Sequence, residues 1–131
     1  MKMTFRNALL ICALFISCAA TSGCFALFVG AAAGAGGIAW VQGVLEYNFD
    51  ATVEKVHAAS TQALKQLKLP ALTDQADTHN AKLTSEYSDG KNVVIQIEAI
   101  TEKTAKVKIR VGVFGDRLRS DAILSAIRKN I

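Results

Sequence analysis

The sequence predicts an α+β fold: a two-layer sandwich in which a mostly antiparallel sheet carries two helices on one face. Three observations lead there. Charge is segregated, since Lys2 and Arg6 are the only charged residues before Glu46, so a membrane-directed segment precedes a soluble one. Beyond Val41, short stretches with apolar residues at every second position are interleaved with two stretches of helical spacing. Each helix has one apolar face and each strand one apolar parity, and such elements bury themselves most simply as two layers. A chain of 131 residues holds one such domain, which excludes a multidomain enzyme.

At the N-terminus, Lys2 and Arg6 precede the uncharged run 8–20, the shape of a secretory signal with its basic and apolar regions. Thr21-Ser22-Gly23-Cys24 follows and resembles the lipobox of bacterial lipoprotein signals, in which the cysteine is acylated and the chain is cut just before it. Thr21 departs from the pattern, where leucine is more usual. The competing reading is an uncleaved single-pass anchor, because Leu9–Val29 is free of charge for about 21 residues, enough to span a bilayer. All three cysteines, Cys12, Cys18 and Cys24, lie in this segment, so no disulfide is expected in the domain.

The expected organisation is therefore a lipoprotein signal peptide over 1–23, a lipidated Gly/Ala-rich spacer over 24–40 and the α+β domain over 41–131. Gly30 and Gly34 are spaced for close helix pairing. However, Phe25–Trp40 spans only about 24 Å as a helix, and its glycines disfavour one, so an apolar spacer at the lipid surface is the simpler reading. Trp40 fits either the membrane interface or the start of the core.

In the domain, Leu45, Tyr47 and Phe49 alternate with Glu46 and Asn48 as a half-buried strand. Asp50 reads as the N-cap of a helix running to about Lys68, with Val53, Val56, Ala59, Ser60, Ala63, Leu64 and Leu67 on one face and Pro70 as its stop. His57 sits at the edge of that face. Residues 71–80 read as a solvated connection with room for one short strand. Asp74, Asp77 and His79 there raise a metal reading, which the lack of a calcium-loop glycine or supporting ligand argues against.

A three-strand meander follows: Leu83, Ser85 and Tyr87; then Val93, Ile95, Ile97 and Ala99; then Ala105, Val107, Ile109, Val111 and Val113. Asp89-Gly90 marks the first turn, expected to be odd in length with Gly90 left-handed. A two-residue loop at Glu102-Lys103 would mix the two faces of the sheet. A three-residue loop is expected instead, pairing Ala99 with Val107, Ile97 with Ile109 and Glu98 with Lys108. Gly112-Val113-Phe114-Gly115 then turns a corner, and Asp116 caps a second helix with the stripe Ile123, Leu124, Ile127 and Ile131. Arg119, Arg128 and Lys129 should stay wet. The corner glycines make only half of a phosphate-binding fingerprint.

The net charge of +4 is partly the signal's own, and the remainder lacks the dense basic stripe that nucleic acid requires. Serines are present (Ser60, Ser85, Ser88, Ser120, Ser125), but none sits in a nucleophile elbow, and only two histidines occur. No enzyme, cofactor or metal is expected. The open sheet face should carry Lys82, Thr84, Glu86, Gln96, Glu98, Lys106, Lys108 and Arg110. Of these, Lys106, Lys108 and Arg110 form a basic row about 7 Å apart. That row is either an ordinary solvated face or a surface for anionic lipid or an acidic envelope protein.

Taken together, the glycine-rich stretch after the lipobox, Val41-Gln42-Gly43-Val44-Leu45-Glu46-Tyr47, Val53-Glu54-Lys55-Val56, Ala63-Leu64 and the block Ile109-Arg110-Val111-Gly112-Val113-Phe114-Gly115-Asp116 with Ser120 and Ile123 resemble small bacterial lipoproteins of unknown function. The resemblance implies secretion and lipidation at Cys24, and no activity. The expected function is that of a membrane-anchored envelope lipoprotein acting as a non-enzymatic binding or structural module. The alternatives are a carrier of a lipid or other apolar ligand and a single-pass membrane protein. Phe25 is not the aspartate that resembles an inner-membrane retention signal, so in a two-membrane bacterium the periplasmic face of the outer membrane is expected.

Overall fold

The computed structural model describes residues 37–131. The signal, Cys24 and most of the spacer lie outside the described residues. The elements run β1 (Ala39–Val41), β2 (Val44–Phe49), α1 (Val53–Gln66), β3 (Ala71–Ala76), β4 (Asn80–Glu86), β5 (Asn92–Thr101), β6 (Thr104–Val111) and α2 (Arg117–Lys129). The six strands form one antiparallel sheet in the order β1-β2-β6-β5-β4-β3. α1 packs over β3, β4 and β5, α2 over β2 and β6, and the helices touch each other. The expected α+β sandwich is the fold observed.

The apolar parity is what fixes the layers. Leu45, Leu83, Val93, Ile95, Ile97, Val107 and Ile109 are all fully buried and meet Val56, Leu64, Ile123, Leu124 and Ile127 from the helices. Each such aliphatic side chain stabilises the fold by about 1.5–3 kcal/mol before the entropy cost of ordering it. Lys82, Glu86, Gln96 and Arg110 are exposed and Thr84, Glu98, Lys106 and Lys108 half-buried on the opposite face, as the alternation requires.

Several local expectations change. The N-cap of α1 is Thr52 rather than Asp50: its Oγ1 accepts from Lys55 N at 3.3 Å. The buried face begins at Val53, and Ala51 is itself buried, so the chain stays non-helical long enough to seat Ala51 before turning. α1 ends at Gln66, two residues early. Lys68 N donates to Lys65 O and Leu69 N to Leu64 O, with Lys68 left-handed at φ 58°, the Schellman arrangement that glycine more often supplies. Residues 71–76 form the full edge strand β3, and every one of them is exposed. A strand with no buried parity leaves no alternation to read. Trp40 lies in β1 and packs at the margin of the core. Gln42 and Gly43, both at positive φ, make a two-residue hairpin turn of the kind that matches strand twist.

The β4–β5 turn is as expected. Tyr87 N donates to Lys91 O across the three-residue loop Ser88-Asp89-Gly90, and Gly90 has φ +83°. The β5–β6 register is not. Ile97 faces Val107, Ile95 faces Ile109 and Glu98 faces Lys106, two residues away from the expected pairing. The turn is Glu102-Lys103 after all, and a bulge between Ala99 and Thr101 restores the parity that an odd loop would have supplied. Ile131, expected in the stripe of α2, follows the helix and is 39% exposed.

Candidate functional site

The basic row on β6 is in place, but its members are not equivalent. Glu46 faces Lys108 from β2 and Glu98 faces Lys106 from β5. Each carboxylate reaches diagonally: Lys108 Nζ donates to both Glu98 oxygens at 3.0 Å, and Lys106 Nζ lies 3.9 Å from Glu46 Oε2. Such diagonal neighbours are within reach of long side chains, and each pair contributes at most about 1 kcal/mol. Arg110 differs. Its Nη2 donates to the Val113 carbonyl oxygen, and no ion pair among the described residues engages it.

Arg110 leads to one end of the sheet, where the β1–β2 turn, the β4–β5 loop and the β6–α2 corner meet. Gly43 and Gly115 pack backbone to backbone. A Cβ on Gly115 would lie 2.7 Å from the Gly43 carbonyl carbon and closer still to its oxygen and Cα, so no side chain fits. Asp116 caps α2, accepting from Arg119 N at 3.2 Å, as the sequence predicts. Arg119 is not simply wet: its guanidinium donates twice to Asp89, at 3.0 and 2.7 Å, and lies 4.4 Å from the centre of the Tyr87 ring. Lys91 Nζ completes the network by donating to Asp116 Oδ2 at 3.2 Å. The bidentate bond to Arg119 holds Asp89 down to about 2. The Arg119 backbone N–H and Lys91 lower Asp116, and burial raises Tyr87.

This framework presents an apolar tip. Phe114 is 93%, Leu118 84% and Val113 76% exposed. Beside it lies a hollow of 510 Å³ whose lining includes Lys91, Arg110, Val94, Val113 and Phe114. Nothing in the periodicity singles Phe114 out; the available signal was a large aromatic residue standing in a glycine-bracketed corner, where small polar residues are usual.

At the opposite end, a cleft of 840 Å³ opens between the start of α1 and the β3–β4 and β5–β6 tips. Val53, Ala76, Ala99 and Ile100 line it together with Glu54, His57, Asp77, His79 and Glu102. The three polar residues of the metal reading part ways here. Asp74 bonds His57 Nε2 at 2.6 Å. Asp77 turns back on its own hairpin, accepting from His79 N at 2.7 Å and Asn80 N at 2.8 Å, which lowers its carboxyl below the ordinary value. Among the described residues no three His, Cys, Asp or Glu side chains gather around one metal position.

Fold and surface together define a small α+β module with one filled core, one open polar sheet face and two differently built ends. Over residues 7–130 the chain matches the DUF3568 family, whose description is a protein of unknown function, and it belongs to that family. No curated protein matches it. Among the described residues no helix is long and apolar enough to cross a membrane.

Proposed function

We propose that the protein is a lipoprotein anchored through Cys24 in the bacterial cell envelope, on the periplasmic face of the outer membrane, with the domain acting as a non-enzymatic binding or structural module. One observation carries the reading: an apolar run behind Lys2 and Arg6 leads into Ser22-Gly23-Cys24, small residues and a thiol where processing and acylation need them. Membership of a family of unknown function is compatible with it. The test is the intact mass of protein extracted from membranes. Loss of residues 1–23 with added acyl mass is the expected result. A full-length unmodified mass overturns it in favour of the single-pass anchor.

The carrier reading has one observation in its favour, the 840 Å³ cleft with Ile100 and Ala99 in its wall. A carrier between the layers is disfavoured by the fully buried Leu64, Ile95, Ile97 and Ile123 that fill that space. Saturable binding of a fluorescent fatty acid, lost in Ile100→Glu, would favour the carrier; no saturable binding is expected.

A further inference from the structure

We propose that the corner formed by Val113, Phe114 and Leu118 is a bilayer-docking tip, which seats the domain against anionic phospholipid with Arg110 beneath the headgroup phosphates. The inference deepens the anchoring reading and rests on it for the tether. An aromatic and two aliphatic side chains, each more than three-quarters exposed, stand within six residues of one another in the chain. Water-exposed apolar groups so concentrated on a small domain usually mark a surface that is covered in use.

The corner cannot simply fold them inward. The Gly43–Gly115 contact fixes its backbone, and the Asp89–Arg119–Asp116–Lys91 network fixes the first turn of α2. The tip is therefore held out rather than left loose.

Charge and chain length choose the occupant. Lys106 and Lys108 have carboxylates beside them, and Lys91 has Asp116. Arg110, on the wall of the 510 Å³ hollow beside Phe114, bonds the Val113 carbonyl through Nη2 but has no carboxylate beside it among the described residues, so its remaining donors are left for an external anion. Arg117, next to Leu118, lies 3.9 Å from Asp121 and 5.8 Å from the centre of the Trp40 ring, so what this side of the tip adds is an amphipathic ring of the kind enriched at membrane interfaces. A phosphodiester at Arg110 with acyl chains around Phe114 satisfies both chemistries at once. From Cys24 to Ala39 the extended chain reaches no more than about 50 Å, which keeps the tip within reach of the tethering bilayer.

The test uses the full chain in vesicles of phosphatidylcholine with about one third phosphatidylglycerol and brominated acyl chains. Trp40 is the chain's single tryptophan, so emission added by Phe114→Trp or Leu72→Trp is read against the parent chain. Leu72 is a matched control, 60% exposed on the far edge strand. Quenching of the added emission should be about threefold stronger for Phe114→Trp, the signature of an apolar group below the headgroups. Arg110→Gln should lower it in anionic vesicles and leave it unchanged in neutral ones.

Equal quenching at the two positions overturns the proposal. So does a weakly quenched Phe114→Trp probe in a protein whose dimerisation in detergent is abolished by Phe114→Asp, which would assign the tip to a second copy. The intact mass of the same sample separates the two readings. Acylated protein with an unquenched tip leaves the anchor standing and removes the docking. Unacylated protein with a quenched tip does the reverse.

Discussion

The two ends of the sheet are closed by different means. At the end bearing Phe114, the contacts join residues far apart in sequence: Arg119 to Asp89 across 30 positions, Lys91 to Asp116 across 25, and Gly43 to Gly115 backbone against backbone. At the cleft end, each loop mostly satisfies itself. Thr52 caps its own helix three residues on, Asp77 bonds the amides two and three residues ahead, and Thr101 pairs with Thr104 at 2.7 Å. Among the described residues the bridges there are few: His57 bonds Asp74 over 17 positions, and Ala99 N donates to the His79 carbonyl oxygen at 2.8 Å. Long-range contacts bind separate loops into one rigid corner. Self-contained loops leave space between them, and that space is the 840 Å³ cleft. A rigid corner suits the proposed docking tip, whereas a cleft whose walls are joined by few bonds can widen or close at little cost.

Four measurements would break or sharpen this contrast. The largest effect sets the scale for losing both ends together. Val107 is fully buried between Tyr47 and Ile97, so Val107→Asp should destabilise the domain by about 4 kcal/mol or more through an unpaired buried charge. Lys108→Asp, on the open face, loses the Glu98 pair and sets a carboxylate opposite Glu46, and should still cost less, about 1–2 kcal/mol. Equal midpoints in urea would overturn the assignment of the two faces.

Next comes Gly115→Ala, expected to cost about 3 kcal/mol, because left-handed strain adds to backbone overlap with Gly43. Gly90→Ala meets nothing nearer than Glu86 Oε1 at 3.9 Å and should cost only the left-handed strain, about 1 kcal/mol. If the two substitutions cost the same, the corner is not interlocked.

At the cleft end, Thr52→Ala removes a single cap and should cost about 1 kcal/mol. Hydrogen exchange should rise in the first turn of α1 while that of α2 stays unchanged. Spread of the effect to α2 would mean that the ends are coupled after all.

The smallest effect is in acid. Asp89 titrates at about 2 in the folded chain against about 3.9 unfolded. Its contribution is therefore fully present above about pH 4 and is lost as the pH falls towards 2. Asp116, also lowered, acts in the same direction at the same end. Asp89→Asn should make the decline in stability over that range shallower. An unchanged acid limb would show that the Arg119 pair contributes nothing to the corner.

How far the sequence carried this chain is clearest on β6. Alternation from Ala105 to Val111 assigned every inward side chain there, because burial of one sheet face imposes a period of two whatever the partner strands do. The same reasoning limited the turns without choosing among them. Parity could be kept by an odd loop or by a two-residue loop with a bulge, and the chain uses the second, between Ala99 and Thr101. The cap at Asp116 was legible since its bond to Arg119 N spans three residues. The one at Thr52 was missed because Ala51 had first to be buried, a demand made by the core and invisible locally.

The sequence by itself determined the α+β class, the two helices, the inward and outward faces of the central strands, and the N-terminal pattern around Cys24. Those follow from periodicities and short motifs that act over a few residues. Tertiary structure alone decided that the exposed run 71–76 pairs as an edge strand, that Glu98 and Glu46 neutralise Lys108 and Lys106 while Arg110 is left to the corner, and that Gly43 and Gly115 hold Phe114 outward. Each of these depends on which distant segments are brought together, and no local period or propensity encodes that choice.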